Sequence, residues 1–351
     1  MSADPEAREE GGATMSEVPR PVSRPLSAVL AEADAKLRRG DSAAGRVWAT
    51  GFRPLDAYLS GGLRSGELTL VGGPQGFGKT TFVLQVLRNV VERGGHGLYL
   101  SYEHDHHTVL ERLIALEAGL ILGAAAVTQR RIREALEALD GRDGTLAQRL
   151  ADSPAGPEAV AKVESYADRL FFHRANSTQT DVAAVRDQMH QVAEASGDVP
   201  FVVVDYLQKV AVPGGSDREE ERVTVVVEGL KDLSLDAKVP IVAIVAAERS
   251  GLVVGKRLRV HDLRGSTALA YEPDVILLLN DKYDVVARHH LVYDLGNADR
   301  FRSWAVLTIE KNRSGLDRID LEFRKLFDQG RFDTDGQTVS EQLVDERVFL
   351  Q

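Results

Sequence analysis

The sequence of 351 residues contains no cysteine, which excludes disulfide bonds, thiolate metal sites, iron–sulfur clusters and cysteine nucleophiles. The absence of cysteine also fits a reducing compartment. Aromatic residues are few, at 6% of the chain, but hydrophobic residues as a whole reach 43% and charged residues 27%. These shares are ordinary for a globular protein with a sizeable core.

The sequence also lacks an apolar run that could cross a membrane. Its most apolar stretch, residues 113–127, contains Glu117 and falls short of the roughly 20 residues that a bilayer requires, so we interpret it as a buried amphipathic helix. The opening segment, MSADPEAREEGG, is acidic and has no apolar core, which is not typical of a secretory signal. We therefore expect a cytoplasmic protein that does not bind membranes.

An excess of basic residues is missing as well. Lysine and arginine total 43 against 53 aspartate and glutamate residues, which gives a formal net charge of −10. A protein that coats nucleic acid over its whole surface is normally basic. Any contact with nucleic acid must therefore come from a local basic patch.

Composition and periodicity divide the chain into four segments. Residues 1–24 have the Glu-, Pro- and Gly-rich composition of a disordered acidic tail. Residues 25–49 form a predicted linker in which apolar side chains recur at helical spacing over residues 26–39. Residues 50–335 alternate strands with helices, and residues 336–351 form a C-terminal tail. The alternation predicts an α/β fold with a mostly parallel, twisted central sheet flanked by helices.

One segment gives conflicting signals. Residues 222–236 contain VTVVV, which by local propensity favours a strand. The apolar residues that begin at Val223 nevertheless recur with a period of about 3.6 residues, as on one face of a helix. We therefore predict a helix here, between two buried strands at residues 201–205 and 241–247.

The strongest motif is GPQGFGKT at residues 73–80, which follows an apolar run and opens a predicted helix. This arrangement is typical of a phosphate-binding loop, because glycines let backbone N–H groups approach the phosphates and the helix N-terminus favours negative charge. In such a loop Lys79 pairs with the outer phosphates and Thr80 holds Mg²⁺. The sequence therefore predicts that a nucleoside triphosphate is bound by Gly73, Pro74, Gln75, Gly76, Phe77, Gly78, Lys79, Thr80 and Thr81.

Two carboxylates end strands that are predicted to lie next to this loop. Asp205 closes the apolar run FVVVD, where it can help to hold the metal through water. Glu103 follows GLYLSY, where it can polarise the water that attacks the γ-phosphate. The alternatives are a simple strand-end aspartate and a solvated glutamate.

Six segments, in this order, resemble the C-terminal, RecA-like ATPase domain of DnaB-type replicative helicases. They are TGFRPLDAYLSGGL, GPQGFGKTTF, LSYE, VVVDYLQKV, DLRGSTALAYEPDVILLL and EKNRSG, and the resemblance extends over residues 50–332. Their order and spacing make the match specific, whereas the phosphate loop alone is not. The first half is also similar to KaiC and RadA ATPases.

This resemblance implies a RecA-like P-loop fold with ATP and Mg²⁺ as ligands. It implies that Lys79 and Thr80 bind phosphate and Mg²⁺. It further implies that Asp205 is the acidic Walker B residue and that Glu103 is the catalytic base.

The resemblance also implies a homo-oligomeric ring, a hexamer in the family. Lys311 and Arg313, in EKNRSG, match a basic pair that reaches into the site of the neighbouring subunit. An arginine suits this task because its fork is always charged and fits a γ-phosphate. A solvated hairpin tip is the alternative. The predicted helix at residues 26–39 lies where the family has a linker helix that docks on the adjacent subunit.

Two loops bear on DNA, because such loops line a central channel and grip a single strand in the family. Residues 209–222 are glycine-rich but carry several acidic residues, which repel phosphate, whereas residues 249–271 are basic. Backbone contact needs only a few cations. The predicted DNA contacts are Arg249, Lys256, Arg257, Arg259 and Arg264. A solvated basic loop is the alternative.

The chain departs from the family pattern in several respects, and within DLRGSTALAYEPD the family's acidic and glycine residues are replaced by Gly265, Thr267, Ala268 and Ala270. The family's glutamine at the end of the strand before the second loop, which is thought to couple the γ-phosphate to DNA, is replaced by Ala246. We also expect the family's N-terminal domain, which recruits primase, to be absent.

The preferred hypothesis is an ATP-dependent DNA helicase or translocase whose partners are single-stranded DNA and replication or repair proteins. A second hypothesis is a KaiC- or RadA-like ATPase that acts as an assembly switch or scaffold without unwinding. A third is a nucleotide-binding accessory with little turnover. Glu103 and the pair Lys311 and Arg313 argue against the third, whereas Ala246 keeps the second open.

Overall fold

The computed structural model describes residues 23–40, 45–138, 143–248, 251, 255–292 and 295–345. Its contacts divide the chain into two units, Met1–Ala44 and Gly45–Gln351. Nearly all of the predicted acidic tail lies outside the described residues, and so does Arg249.

The described part of the first unit contains one helix, α1 (Leu26–Arg38), where the periodicity predicts it. Glu32 lies 2.9 Å from Arg24, which precedes the helix, and 3.1 Å from Lys36, and the Glu32–Lys36 ion pair, one turn apart, supports the helix. The apolar side chains of Leu26 and Leu30 are 82% and 64% exposed. The helix therefore presents an apolar surface of its own.

The second unit alternates strands and helices, as predicted. In chain order its strands and α-helices are β1 (Val47–Trp48), α2 (Arg53–Tyr58), β2 (Leu63–Arg64), β3 (Leu68–Gly72), α3 (Lys79–Glu92), β4 (Gly97–Ser101), α4 (His106–Leu122), α5 (Gln129–Glu137), α6 (Leu146–Arg149), α7 (Gly156–Glu164), β5 (Leu170–Arg174), α8 (Val182–Ser196), β6 (Phe201–Asp205), α9 (Glu219–Ala237), β7 (Ile241–Val245), α10 (Ala268–Tyr271), β8 (Val275–Asp281), α11 (Lys282–Val285), α12 (His289–Val292), α13 (Leu295–Arg302), β9 (Trp304–Asn312), β10 (Ile319–Leu326), β11 (Arg331–Phe332) and β12 (Gln337–Thr338). None of the helices in the described ranges is both long enough and apolar enough to cross a membrane.

Ten strands form one sheet in the order β11-β10-β9-β8-β3-β7-β6-β4-β5, with β12 paired to β10. The run from β8 to β5 is parallel throughout, whereas β9, β10, β11 and β12 extend the sheet with antiparallel pairs. The prediction of a mostly parallel sheet is confirmed. Parallel strands end at the same edge, so the segments that follow β3, β4, β6 and β7 meet there.

The sheet is buried on both faces, which explains why its central strands are continuous apolar runs. Every residue of β3, β4, β6 and β7 is buried. Side chains alternate between two cores: Val203 packs in the one that contains α3, α4 and α7, and Val202 and Val204 pack in the one that contains α8 and α9.

The helix predicted within residues 222–236 is confirmed as part of α9. Val223, Val226, Val227 and Leu230 are all buried on one face, so packing decides against the strand propensity of VTVVV.

The start of α4 is set by a side-chain cap. Asp105 caps the helix, because its carboxylate accepts a hydrogen bond from the backbone N–H of Thr108 at 2.8 Å. The cap satisfies one of the free donors of the first turn, and the helix therefore begins at His106.

Candidate functional site

The loop between β3 and α3 adopts a backbone that only glycine accommodates easily. Gly76 and Gly78 have φ angles of 82° and 86°. A Cβ atom on Gly78 would lie 2.7 Å from ring carbons of Phe327 and Phe332. Gly78 therefore lets the chain turn tightly into the N-terminus of α3, which is a favourable place for an anion.

Lys79 is held inside this loop. Its Nζ donates hydrogen bonds to the carbonyl oxygens of Gly73 at 2.8 Å and Pro74 at 2.9 Å. Burial lowers the pKa of Lys79, and the charges of Asp205 and Glu103 oppose that shift. A phosphate is a stronger partner for an ammonium than neutral carbonyls are, so the loop holds a cation ready for an anionic ligand.

Asp205, at the end of β6, is buried to 1% exposure and faces the start of α3. Its Oδ2 accepts hydrogen bonds from Thr80 Oγ1 at 2.9 Å and from Tyr99 Oη at 2.6 Å. Burial, followed by the charge of Asp205, raises the pKa of Tyr99 well above its ordinary value, so the phenol donates. A hydroxyl and a carboxylate this close are the hard oxygen ligands that Mg²⁺ prefers, so the residues present fit that ion.

The predicted site residues surround one cavity of about 620 Å³. Lys79, Thr80, Glu103 and Asp205 line it, and Ala246 lies at its edge after β7. From the phosphate loop itself, the lining residues are Gly73, Gln75, Gly76, Gly78, Lys79, Thr80 and Thr81, whereas Pro74 and Phe77 are not among them. Residues far apart in sequence thus converge because their strands end at one edge.

Glu103 follows β4 and is exposed at the cavity. Within the described ranges, no side chain or backbone group hydrogen-bonds its carboxylate. It therefore keeps both oxygens available to accept a proton from a ligand or a water molecule.

Arg112 is a cavity residue that sequence reasoning missed. It lies on α4 and lines the cavity together with Gln129 and His104. Its Nε is buried and has no hydrogen-bond partner among the described residues. A buried donor without a partner is unfavourable, so this guanidinium is suited to an anionic ligand. The sequence feature that could have identified Arg112 is its position as a charged residue within the apolar stretch VLERLIAL.

Lys311 and Arg313 lie away from this cavity. β9 runs antiparallel to β8, with Lys311 opposite Ile276 near the start of β8, and that edge of the sheet is opposite the phosphate loop. Lys311 Nζ donates to the carbonyl oxygens of Ala270 at 2.9 Å and Tyr271 at 2.8 Å. Arg313 also donates to the Tyr271 carbonyl. The two cations are therefore anchored to the C-terminus of α10.

Arg257, in the second loop, is packed into the fold. It is 5% exposed, donates to Thr308 Oγ1 at 2.9 Å and pairs with Asp320. It lines a second cavity of about 420 Å³ between the loop and strands β9 and β10. Burial of this kind indicates that Arg257 anchors the loop, and its contact with DNA stays a prediction.

Lys256 and Arg259 are also paired with carboxylates of the same chain. Lys256 Nζ lies 2.5 Å from Asp262, and Arg259 lies 3.1 Å from Glu310 and 2.7 Å from Asp345. A nucleic acid would have to compete with these carboxylates for the two cations.

Arg264 has a different position from the other cations of the second loop. It lines the first cavity, and its Nη2 lies 2.8 Å from Glu219 Oε2 at the start of α9. The hydrogen bond from Arg264 to Glu219 raises the pKa of Arg264. Its backbone is held by Ala246 and by Gln208, whose Nε2 donates to the Arg264 carbonyl at 2.8 Å. Arg264 thus joins the cavity to both loops.

Comparison with known proteins places this geometry in a family. Residues 48–333 match the family described as DnaB-like helicase C terminal domain. The chain is 27% identical over 327 residues to the replicative DNA helicase DnaB of Haemophilus influenzae, which covers 91% of this chain and 62% of that protein. It is 25% identical over 289 residues to the corresponding protein of Pasteurella multocida, with 81% and 55% covered. The chain thus spans less than two thirds of the length of these relatives.

Two solved structures share the fold. The ATPase domain of G40P has a TM-score of 0.68 at 19% identity and is covered to 99%, with 89% of this chain. A DnaB-like replicative helicase, solved in a study of its interactions with primase, has a TM-score of 0.66 at 18% identity, with 89% of this chain and 68% of that one covered. The prediction of a RecA-like fold is confirmed.

The position of Arg112 generates the first prediction. Arg112→Met should weaken the binding of an ATP analogue by about 10-fold or more, since a hydrogen bond to a charged group contributes about 1.5–3 kcal/mol. The measurement is a fluorescence titration with a labelled ATP analogue.

Arg131→Met is the matched control, because it removes the same charge from α5, where Arg131 is exposed and lies 3.6 Å from Glu134. If the two variants bind the ATP analogue with equal affinity, Arg112 does not contact the ligand.

Proposed function

Because the chain belongs to the DnaB-like helicase C terminal domain family, we propose that it hydrolyses ATP with Mg²⁺ and moves along single-stranded DNA as a ring, a hexamer as in the family. The observation that carries the proposal is the convergence of Lys79, Thr80, Asp205 and Glu103 on one cavity. These residues come from three different segments and together supply what hydrolysis of a phosphoanhydride needs.

Each residue has a distinct role in this proposal. Lys79 leaves the loop carbonyls to pair with the outer phosphates, and Thr80 and Asp205 hold Mg²⁺. Charge on those phosphates is neutralised by Mg²⁺ when it is bound. Glu103, which no other described group hydrogen-bonds, accepts the proton of the attacking water.

The ring completes each site with groups from the next subunit. Lys311 and Arg313 lie at the sheet edge opposite their own cavity, which supports a role at the cavity of another copy. A head-to-tail arrangement brings these two edges together and closes into a ring. The exposed apolar side chains of α1 supply a second contact, which we assign to an adjacent subunit.

Single-stranded DNA is the proposed polymer ligand. Of the predicted contacts, Arg264 is the best placed because it is about half exposed and joins both loops to the nucleotide cavity. Lys256, Arg257 and Arg259 remain proposed contacts, as does Arg249. Cytoplasmic replication or repair proteins are the proposed partners.

A second candidate function is an ATPase switch that assembles or signals without unwinding DNA. Ala246 favours it, because a methyl group lines the cavity where the family's glutamine is thought to couple nucleotide to DNA. The two candidates differ in whether DNA accelerates hydrolysis.

The second prediction concerns turnover. Glu103→Gln should keep ATP binding but lower kcat by about 100-fold or more, which is the usual contribution of a general base. ATP turnover is measured for both proteins with and without single-stranded DNA.

Stimulation of the wild type by DNA that disappears in Glu103→Gln supports the translocase. If the ATP turnover of the wild type is the same with and without DNA, the result supports the switch. Full activity of Glu103→Gln would contradict the assignment of the base.

The third prediction concerns the subunit interface. Arg313→Ala should lower turnover by about 1,000-fold or more, as loss of an arginine finger does. Lys79→Ala should be inactive through loss of phosphate binding. Mixtures of the two inactive variants should regain part of the activity, because some interfaces then combine an intact loop with an intact finger. Absence of recovery at every mixing ratio would contradict action between subunits.

The fourth prediction concerns the Glu219–Arg264 pair. Glu219→Gln should tighten binding of single-stranded DNA by about 2- to 5-fold at low salt, because an exposed ion pair contributes about 0.2–1 kcal/mol. Fluorescence anisotropy with a labelled oligonucleotide measures the effect.

Glu220→Gln is the matched control for the change in net charge, since the Glu220 carboxylate lies 3.9 Å from Arg218 and forms no pair with Arg264. If both variants bind DNA equally well, Glu219 does not compete with DNA for Arg264.

A further inference from the structure

Tyr99 lies in the middle of β4 and is completely buried. β4 pairs in parallel with β6, so that Tyr99 is opposite Val203 and Ser101 is opposite Asp205. Tyr99 Oη reaches along the sheet to Asp205 Oδ2 at 2.6 Å. Its hydroxyl is therefore a buried polar group that is directed at the carboxylate of Asp205 in the nucleotide cavity.

The two hydrogen bonds received by Asp205 fall on the same oxygen. Thr80 Oγ1 and Tyr99 Oη both donate to Oδ2, at 2.9 Å and 2.6 Å. Among the described residues, no donor hydrogen-bonds Oδ1. The carboxylate is thus fixed at one oxygen and keeps the other as an open acceptor.

The ring of Tyr99 has little freedom to move. It is stacked on Phe172, with ring centroids 5.9 Å apart and an angle of 28° between the planes. A buried tyrosine hydroxyl needs a hydrogen-bond partner, and the packed ring offers this one only Asp205. The hydrogen bond is therefore part of a rigid support for Asp205.

We propose that Tyr99 is a positioning residue for the metal site: it fixes Oδ2 of Asp205 so that Oδ1 stays available to the cation or its water ligand. The proposal rests on the proposed function, in which Asp205 helps to hold Mg²⁺. Tyr99 itself touches neither the cation nor the nucleotide. Outer hydrogen-bond partners of this kind orient metal ligands in many sites.

The test is Mn²⁺ binding to the protein–ADP complex, followed by electron paramagnetic resonance of free Mn²⁺. Tyr99→Phe should raise the Mn²⁺ dissociation constant by about 10-fold, the lower end of the usual loss for an outer-shell partner. The affinity for ADP without metal should be unchanged, because Tyr99 does not reach the phosphate loop.

Tyr166→Phe is the matched control. Tyr166 is also buried, and its Oη donates to a carboxylate, that of Glu117, at 2.8 Å in the core. Both variants lose one tyrosine–carboxylate hydrogen bond and some thermal stability, but Tyr166→Phe should bind Mn²⁺ as the wild type does. Equal Mn²⁺ affinities of the two variants would overturn the proposal.

A second variant keeps the test valid if Tyr99→Phe does not fold. Para-aminophenylalanine at position 99, introduced by amber suppression, retains a donor but a weaker one than the phenol. Its Mn²⁺ affinity should be several-fold below that of the wild type, and an unchanged affinity would overturn the proposal. A wild-type complex that binds no Mn²⁺ at all would overturn the metal site itself, which separates that failure from the failure of Tyr99.

Discussion

Parallel pairing of buried strands is the constraint on which the rest of the molecule depends. Because β3, β4, β6 and β7 run in one direction, the segments that follow them leave the sheet at one edge. That edge brings together the phosphate loop, Glu103, Asp205 and Ala246, which are far apart in sequence.

The same pairing requires both faces of the sheet to be covered, and α3, α4, α8 and α9 cover them with their apolar sides. Antiparallel β9 then carries Lys311 to the opposite edge. One sheet therefore presents two chemically different edges.

The cavity brings several charged side chains together, among them Lys79, Arg112 and Asp205. A buried carboxylate is costly unless it is hydrogen-bonded, and Asp205 receives hydrogen bonds from Thr80 and Tyr99. Lys79 is satisfied by carbonyls of its own loop, but burial still lowers its pKa. Arg112 retains an Nε with no partner within the described residues. These positive groups are only partly compensated, so an anionic ligand improves the electrostatics of the whole site.

The basic loop illustrates how a protein of net negative charge uses its cations. Arg257 is buried and forms an ion pair with Asp320 of β10. Arg264, in contrast, is about half exposed and is paired with Glu219 from the first loop. Both residues are arginines in one short basic segment, yet one anchors the loop and the other is suited to exchange its carboxylate for a phosphate. Exposed ion pairs contribute little to stability and are screened by salt. The free-energy cost of exchanging the Glu219 carboxylate for a phosphate is therefore small.

The local sequence pattern determined the phosphate loop and most of the central strands and helices. The glycines and Lys79 of the phosphate loop, the apolar runs of β6 and β7, and the helical period of α9 act over short distances, where sequence and conformation correspond closely. Tertiary structure alone decided the rest. Tyr99 reads as one more residue of a buried strand until the parallel register places its hydroxyl beside Asp205. Arg112 becomes a cavity residue only because α4 packs beside the phosphate loop, and the ion pair between Arg257 and Asp320 forms only because β10 lies next to the second loop. In each case the residue contacts a group on another element of the fold. The order of charged residues along the chain does not reveal which of them the fold will bring into contact.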